Sequence, residues 1–288
     1  MLATIVNFST NEALFLRHCL EEALLFSDQI IVPVCDHFFD ATAENRELLD
    51  AIYAAHPEVQ FVEYAWSEKN FYGRHPTHFW HNLSRLPGSY FLSPETDYVL
   101  FLDVDEIVEG SRFASWLQQF PLSDFTALRL ACYWYFREAE YRALEWEDGP
   151  LLISKAAVHY DSLMHPHERG GTFQLAQGAK ERRVAGSDQL PMVHHYSWVR
   201  SKEALLRKVS AWGHRDERDW RALVEAEFSK DFSGTDFVHG YSFVEVEPYL
   251  KPHHYSPSQQ RVDNVIRLST SDIHKIDLEL KFNVQIRT

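Results

Sequence analysis

Cysteine is scarce in this chain. Only Cys19, Cys35 and Cys132 occur in 288 residues. They share no close spacing, and any disulfide scheme leaves one thiol unpaired. A disulfide framework is therefore excluded, and free thiols in a reducing cytoplasm are expected. Long apolar runs are absent as well. Runs such as Tyr98 to Leu102 are strand-length, far short of the roughly 20 residues that cross a bilayer. No transmembrane segment is expected, which leaves peripheral membrane contact open. The segment Met1-Leu2-Ala3-Thr4-Ile5-Val6 lacks a basic leader and reads as a strand, so no signal peptide is expected. Positive charge is in deficit: 28 Lys and Arg face 42 Asp and Glu, for a net charge of −14. Such a surface repels polyanions and excludes nucleic acid as a general partner, while a local basic pocket for a small phosphate compound stays open. Internal repeats, low-complexity blocks and linkers are also missing.

Core-forming material is plentiful, with 45% apolar residues that include 20 Phe, 13 Tyr and 8 Trp. That excludes wholesale disorder. The first 110 residues alternate strand and helix patterns. Ala3 to Phe8 reads as a strand, and Ser9 and Glu12 stand at capping-box spacing before a helix from Ala13 to Phe26. Gln29 to Val34 is a second strand, a helix covers Ala43 to His56, and Val59 to Tyr64 is a third strand. A helix over Phe71 to Leu86, or starting only at Pro76, precedes a fourth strand, Tyr98 to Leu102. This alternation predicts an α/β fold, a mostly parallel sheet with helices on both faces. Ligands of such sheets bind beyond the carboxyl ends of the strands. The later chain is less regular. Strands are expected at Ala127 to Phe136 and Leu151 to Ser154, and loops and short strands over Val158 to Val193. Helices are expected at Ser201 to Trp212, Asp219 to Phe228 and Gln259 to Leu268. Residues 1–212 are read as the catalytic part and 213–288 as a helical elaboration packed on the same domain.

Asp103-Val104-Asp105 directly follows the fourth strand. Side chains two apart on an extended strand point the same way. Two carboxylates held side by side repel unless a cation joins them, and hard oxygen ligands suit Mg²⁺ or Mn²⁺. The alternative is that these acids cap a loop or the helix after Gly110. Arg74, His78 and Asn82 lie four apart and would form one polar stripe on a helix. His75, His78 and His81 are three apart, but their directions fan around a helix and no Cys is near, so zinc is not expected. Tyr133-Trp134-Tyr135-Phe136 alternates faces as a strand, one toward the core and the other toward packing or a sugar. His165-Pro166-His167-Glu168-Arg169-Gly170-Gly171 reads as a turn or a mobile loop beside phosphate.

Asn11-Glu12 after the first strand, Asp36 with Asp40-Ala41-Thr42 after the second, and Phe101-Leu102-Asp103-Val104-Asp105-Glu106 after the fourth together resemble the pattern of glycosyltransferase family 2. The resemblance covers residues 1–110, and the later chain matches in outline. It implies a GT-A, Rossmann-like fold and a metal-dependent, inverting transfer of a sugar from a nucleotide-diphosphate donor to a hydroxyl of a glycan or lipid-linked acceptor. Through it Asn11, Glu12, Asp36, Arg74, Asn82, Asp103 and Arg200 would contact the nucleotide sugar. Asp103, Asp105 and a downstream histidine, His195 or His194, would hold Mn²⁺ or Mg²⁺. Arg200, Lys202 and Lys208 would neutralise the departing diphosphate. The pattern departs from the family at the second strand end, where Cys35 replaces an Asp and His37-Phe38 replaces Gly-Ser. An inverting transferase needs a carboxylate to deprotonate the acceptor. Glu147, Asp148, Asp161, Glu168 and Asp188 are the candidates. Asp188, six residues before His194, is preferred, followed by Asp148 and Glu147, which precede the loop-like Gly149-Pro150. Two other readings are a haloacid-dehalogenase-type phosphohydrolase using Asp103 and Asp105, and a non-catalytic sugar-nucleotide-binding scaffold.

Overall fold

A computed structural model describes residues 1–65, 77–176, 183–256 and 263–282, with the side chains of residues 77, 78 and 80 not included. Among the described residues ten strands form one sheet in the order β10-β3-β2-β1-β4-β7-β6-β8-β5, and β9 pairs with β7 off this path. Strands β1 (Leu2–Asn7), β2 (Gln29–Cys35), β3 (Gln60–Tyr64) and β4 (Tyr98–Asp103) run parallel to their neighbours. β4 then meets β7 (Tyr141–Ser154) in antiparallel register, and β7 pairs antiparallel with β6 (Ala127–Phe136). β8 (Val193–Trp198) lies parallel to β6 and antiparallel to β5 (Glu106–Val108). The α/β expectation holds. The continuous parallel run extends from β10 to β4; beyond it the β4–β7, β7–β6 and β8–β5 pairs are antiparallel and the β6–β8 pair is parallel.

Period-two alternation sends successive strand residues to opposite faces. Val6, Val32, Val34, Leu100 and Leu102 face one core, completed by Phe15, Leu16 and Leu20 of helix α1 (Ala13–Ala23), Leu49 and Ile52 of α2 (Arg46–Ala55), and Phe113 of α5 (Gly110–Gln119). Ile5, Ile31, Val99 and Phe101 face the other core. Leu83 of α3 (Thr77–Leu83), Leu86 of α4 (Arg85–Tyr90), Leu163 of α6 (Tyr160–Leu163) and Phe173 of α7 (Glu168–Leu175) cover it. Helices α8 (Lys202–Ala211) and α9 (Trp220–Glu227) close a third cluster around Trp134, Trp198 and Trp220. Caps set these helix starts: the Asn45, Ser201 and Asp219 side chains accept from the amides of Leu48, Ala204 and Ala222.

Local expectations fail where tertiary partners outbid sequence pattern. Ser9 makes no cap, and Thr10–Glu12 is a single 3-10 turn. The Glu12 carboxylate instead accepts from Arg200 at 2.8 Å. Glu147 and Asp148 lie within β7 rather than in a loop, paired with Cys132 and Ala131. A side chain at Gly149 would collide with the Glu106 carboxylate, its first atom 2.3 Å from Oε1, so glycine here serves close packing within a strand. The span Val158 to Val193 contains α6 and α7. The helix expected at Gln259 to Leu268 is, in its described part, strand β10 (Val265–Leu268), parallel to β3. β-branched Val265 and Ile266 suit a sheet position, and β3 offers them an open edge. The elaboration after residue 212 thus contributes strands β9 (Phe243–Glu245) and β10 to the sheet, besides α9 and α10 (Thr270–Phe282). No helix among the described residues is long and apolar enough to cross a membrane.

Candidate active site

A cavity of about 440 Å³ opens beyond the carboxyl ends of β1, β2 and β4. That volume suits a ligand of drug or nucleotide size. Its floor is built by register. Asn7 and Asp103 are direct partners across β1 and β4, and Asn7 Nδ2 donates to Asp103 Oδ1 at 3.1 Å. Asp103 shares the face of Val99 and Phe101, so its carboxylate meets α3, α4 and α7. Arg169 donates to its Oδ2 at 3.0 Å, and the His81 ring nitrogen stands 3.4 Å from Oδ1. Arg169 also grips fully buried Glu106 through two donors, 2.5 and 2.8 Å long. Removal from water alone would raise the Asp103 carboxyl. Arg169, His81 and Arg85 outweigh it and hold the group well below the usual carboxylate range.

The chain turns after Asp103, and β5 begins at Glu106. Asp103 and Asp105 therefore do not project side by side from one strand, as period two would require. Asp105 enters a different cationic nest. Its Oδ2 accepts from Arg200 at 2.7 Å and Lys208 at 3.1 Å. Burial again opposes ionisation, but Lys208, His195 and Arg200 keep the carboxyl at about 2. Its other oxygen faces His195 Nε2 at 3.7 Å. That gap is too long for a hydrogen bond. It is a span that two ligands about 2.1 Å from one ion can bridge. His195 Nδ1 is buried without a partner among the described residues. Among the described residues no three His, Cys, Asp or Glu side chains could together hold a metal. Asp105 and His195 are the two donors of this edge whose chemistry fits a hard divalent ion.

Glu168 opens α7 in the left-handed region, with φ 49°. A non-glycine residue there stores about 1–3 kcal/mol of strain, held only when its surroundings over-determine it. Those surroundings are specific. Glu168 lines the cavity, His81 Nδ1 stands 3.3 Å from its carboxylate, and His214 Nε2 stands 3.8 Å away. Burial opposes its charge, yet His81 and Arg85 hold its carboxyl well below the usual range. In return Glu168 and Asp103 overcome burial and lift His81 to about 9. Of the segment read as a turn or a mobile loop, Pro166 and His167 form a turn and Glu168 starts a helix. Gly171 lets this helix pass over the His165 ring, which a side chain there would overlap.

At the β2 end the cavity is lined by Cys35, His37, Phe38, Glu44 and Arg207. The Arg207 guanidinium lies over Phe38, 4.4 Å from the ring centre. Glu44 accepts from the Thr10 amide and hydroxyl, yet burial still lifts its carboxyl from 4.5 to about 7. The folded chain therefore binds the extra proton between those two values, and this contribution to stability is lost as pH rises through 7. A Glu44→Gln variant is expected to match the wild type in urea unfolding below about pH 4.5 and to exceed it by about 3 kcal/mol near pH 8. An equal difference at both pH values would refute this titration.

Of the residues expected to touch a nucleotide sugar, Asn11, Glu12 and Asp103 line the cavity. Asp36 does not; it holds the His37 ring at 2.7 Å, and His37 lines the cavity in its place. Asn82 is a buried strut, donating to the His165 carbonyl at 2.8 Å and accepting from Arg85 at 2.9 Å. Arg200 is buried and positions Asp105 and Glu12. Arg74 lies outside the described residues. Of the metal candidates, His195 reaches Asp105, while His194 faces the opposite side, bonded to Tyr135 at 2.7 Å and Glu109 at 3.1 Å. Adjacent strand residues point to opposite faces, so both could not serve.

The preferred base candidates are not in the cavity lining. Asp188 is paired with Arg112 on an exposed loop, and Asp148 pairs with Arg129 at 3.7 Å. Glu147 sits behind the wall, 3.1 Å from His239. Glu168, among the carboxylates first considered, is the one that lines the cavity. Arg169, His81, Arg207 and Trp212 belong to the site without having been singled out for these roles. Glu168-Arg169 between histidines and glycines was the available signal.

No family model matches the chain, and no curated protein does. Among solved structures, it is similar to 4-diphosphocytidyl-2C-methyl-D-erythritol synthase from Anaerococcus prevotii DSM 20548, at 10% identity and TM-score 0.42, over 76% of this chain and 96% of that one. It is similar to the glycosyltransferase GlyE of Streptococcus pneumoniae TIGR4, at 14% identity and TM-score 0.36, over 79% of this chain and 63% of that one. A third likeness is to S. aureus TarS, at 10% identity and TM-score 0.40, over 79% of this chain and 72% of that one.

Proposed function

We propose that this chain is a glycosyltransferase that moves a sugar from a nucleotide-diphosphate donor to a hydroxyl of a glycan or lipid-linked acceptor, with inversion. One observation carries the reading: Asp103, Asp105 and Glu168, with their cationic partners, converge on one cavity at the carboxyl ends of parallel strands. Asp105 and His195 would hold Mn²⁺ or Mg²⁺. Such an ion, when bound, supplies Lewis-acid stabilisation to the leaving diphosphate. Arg207 and Lys208 line the same cavity and offer charge-assisted donors to phosphate oxygens. Arg169 and Arg200 fix the two aspartates in place.

Glu168 is ionised at neutral pH and accepts the proton of the acceptor hydroxyl. The acceptor oxygen bonds to the anomeric carbon while that carbon's bond to the diphosphate oxygen breaks, and the diphosphate leaves with the electron pair. Asp103, both of whose oxygens are engaged by Arg169, Asn7 and His81, is poorly disposed to act as a phosphohydrolase nucleophile. The test is a thermal-shift panel of nucleoside diphosphates and nucleotide sugars, each with and without Mn²⁺. One base is expected to raise the Tm by about 5 °C at roughly 100 times its Kd, and only with the metal. A panel with no shift would overturn the reading.

A further inference from the structure

The wall over β6 and β8 adjoins the Asp105–His195 edge and is largely aromatic. Trp134 and His195 are register partners on those strands, their rings 5.0 Å apart. Trp212 closes α8 and is half-buried, whereas Trp198 and Trp220 behind it are buried. Both meet it near right angles, at 5.7 and 5.1 Å, which fixes the plane of its ring. The loop 236–241 also borders the cavity, through Val238 and His239. The buried Asp236 carboxylate accepts from the amides of Val238, His239, Gly240 and Tyr241, which fixes the backbone of this turn by side-chain hydrogen bonds. It carries His239, whose ring lies 4.9 Å from Trp134 and is oriented by Glu147 at 3.1 Å. Trp134, Trp212 and His239 all line the cavity. Three ring nitrogens of this wall, Trp134 Nε1, Trp212 Nε1 and His195 Nδ1, are buried without partners among the described residues. Such groups are rare in native structures.

We infer that this wall is the acceptor subsite, and that it takes a pyranose ring stacked on Trp212 with its hydroxyls toward His239. A pyranose has a flat C–H face that packs on an aromatic plane and a hydroxyl rim that needs oriented polar groups. The wall offers both, with little ordering left to do on binding. The placement also suits the chemistry. The Trp212 and His214 rings are 5.2 Å apart, and His214 stands 3.8 Å from the Glu168 carboxylate, so a stacked sugar lies beside the proton acceptor. The β2 end, with Phe38 and Arg207, is left for the donor. This inference rests on the transferase reading and deepens it.

The probes are methyl β-D-glucopyranoside, methyl β-D-galactopyranoside and methyl N-acetyl-β-D-glucosaminide, followed by saturation-transfer NMR on the full chain with Mg²⁺ and nucleoside diphosphate. Transfer to the ring C–H protons of at least one is expected. Its affinity should fall about tenfold in Trp212→Ala and in His239→Ala, and be largely restored in Trp212→Phe. No transfer from any pyranoside, or transfer unchanged in both alanine variants, would overturn the inference. So would loss of nucleotide binding in Trp212→Ala with pyranoside binding intact, since Trp212 would then serve the donor. Nucleotide thermal shifts on the same samples separate the two readings. Pyranoside binding without any nucleotide effect removes the transferase and keeps the sugar subsite. Nucleotide binding without pyranoside binding does the reverse.

Discussion

Asp105→Asn is expected to lower turnover by about three orders of magnitude and to abolish the metal-dependent part of nucleotide stabilisation. The amide keeps the side-chain volume but loses the charge that would hold a divalent ion with His195. Lewis-acid stabilisation of a leaving diphosphate is worth several kcal/mol, and about 4 kcal/mol corresponds to that rate factor. A second effect accompanies it. Arg200 and Lys208 both donate to this carboxylate, and Arg200 is buried. Removing one partner of a buried pair costs about 3–5 kcal/mol, because the remaining charge is left uncompensated. Glu12, which also accepts from Arg200, softens that loss. The variant should therefore melt earlier yet still fold. Circular dichroism and a calorimetric nucleotide titration, each with and without Mn²⁺, read the two effects separately. Retained metal-dependent binding in a folded Asp105→Asn protein would remove Asp105 from the metal assignment.

Glu168→Gln should cost about 10²- to 10⁴-fold in kcat, the usual span for losing a general base. Acceptor KM should change little, because glutamine still accepts a hydrogen bond. The pH profile adds a sharper criterion. His81 and Arg85 hold the Glu168 carboxyl far below its ordinary value, so its protonation contributes no loss of activity between about pH 5 and 8. His81, lifted to about 9, charges the pocket over that range and releases its proton on the alkaline side, so a falling alkaline limb is expected. A full rate in Glu168→Gln would move the base elsewhere. Asp188→Asn is the natural control, since Asp188 pairs with Arg112 on an exposed loop and does not line the cavity.

The parallel half of the sheet was legible in the sequence because each element there carries its own local signal. Apolar runs such as Val99 to Leu102 need only their own pattern to be read as strands, and the acids that follow fall at the ligand-binding end. The chemistry of the site was less legible, because it depends on chain direction at single residues. The turn at Val104-Asp105 separates two carboxylates that a straight strand would align. The choice between His194 and His195 depends on the phase of β8, which only its pairing with β5 and β6 sets. Arg169 gains meaning from Asp103 and Glu106, more than 60 positions away along the chain, and Glu168 from His81. Asp188 had a suggestive sequence distance from His194, but Arg112 holds it outside. Val265 to Leu268 needed the open flank of β3, which no local window contains.

That last pairing has a consequence for how the chain is made. β3 ends at Tyr64, yet the strand that covers its outer flank begins at Val265. A ribosome thus exposes a row of unpaired amides and carbonyls on β3 for about 200 residues of synthesis before the covering strand emerges, at roughly 5–20 residues per second. Such an edge is a template for strand addition from another nascent chain. The final strand is brief and bears Arg267, which reaches toward Glu63 at 3.7 Å. It therefore covers the β3 edge, and the period of vulnerability closes only when residues 265–268 have left the ribosome.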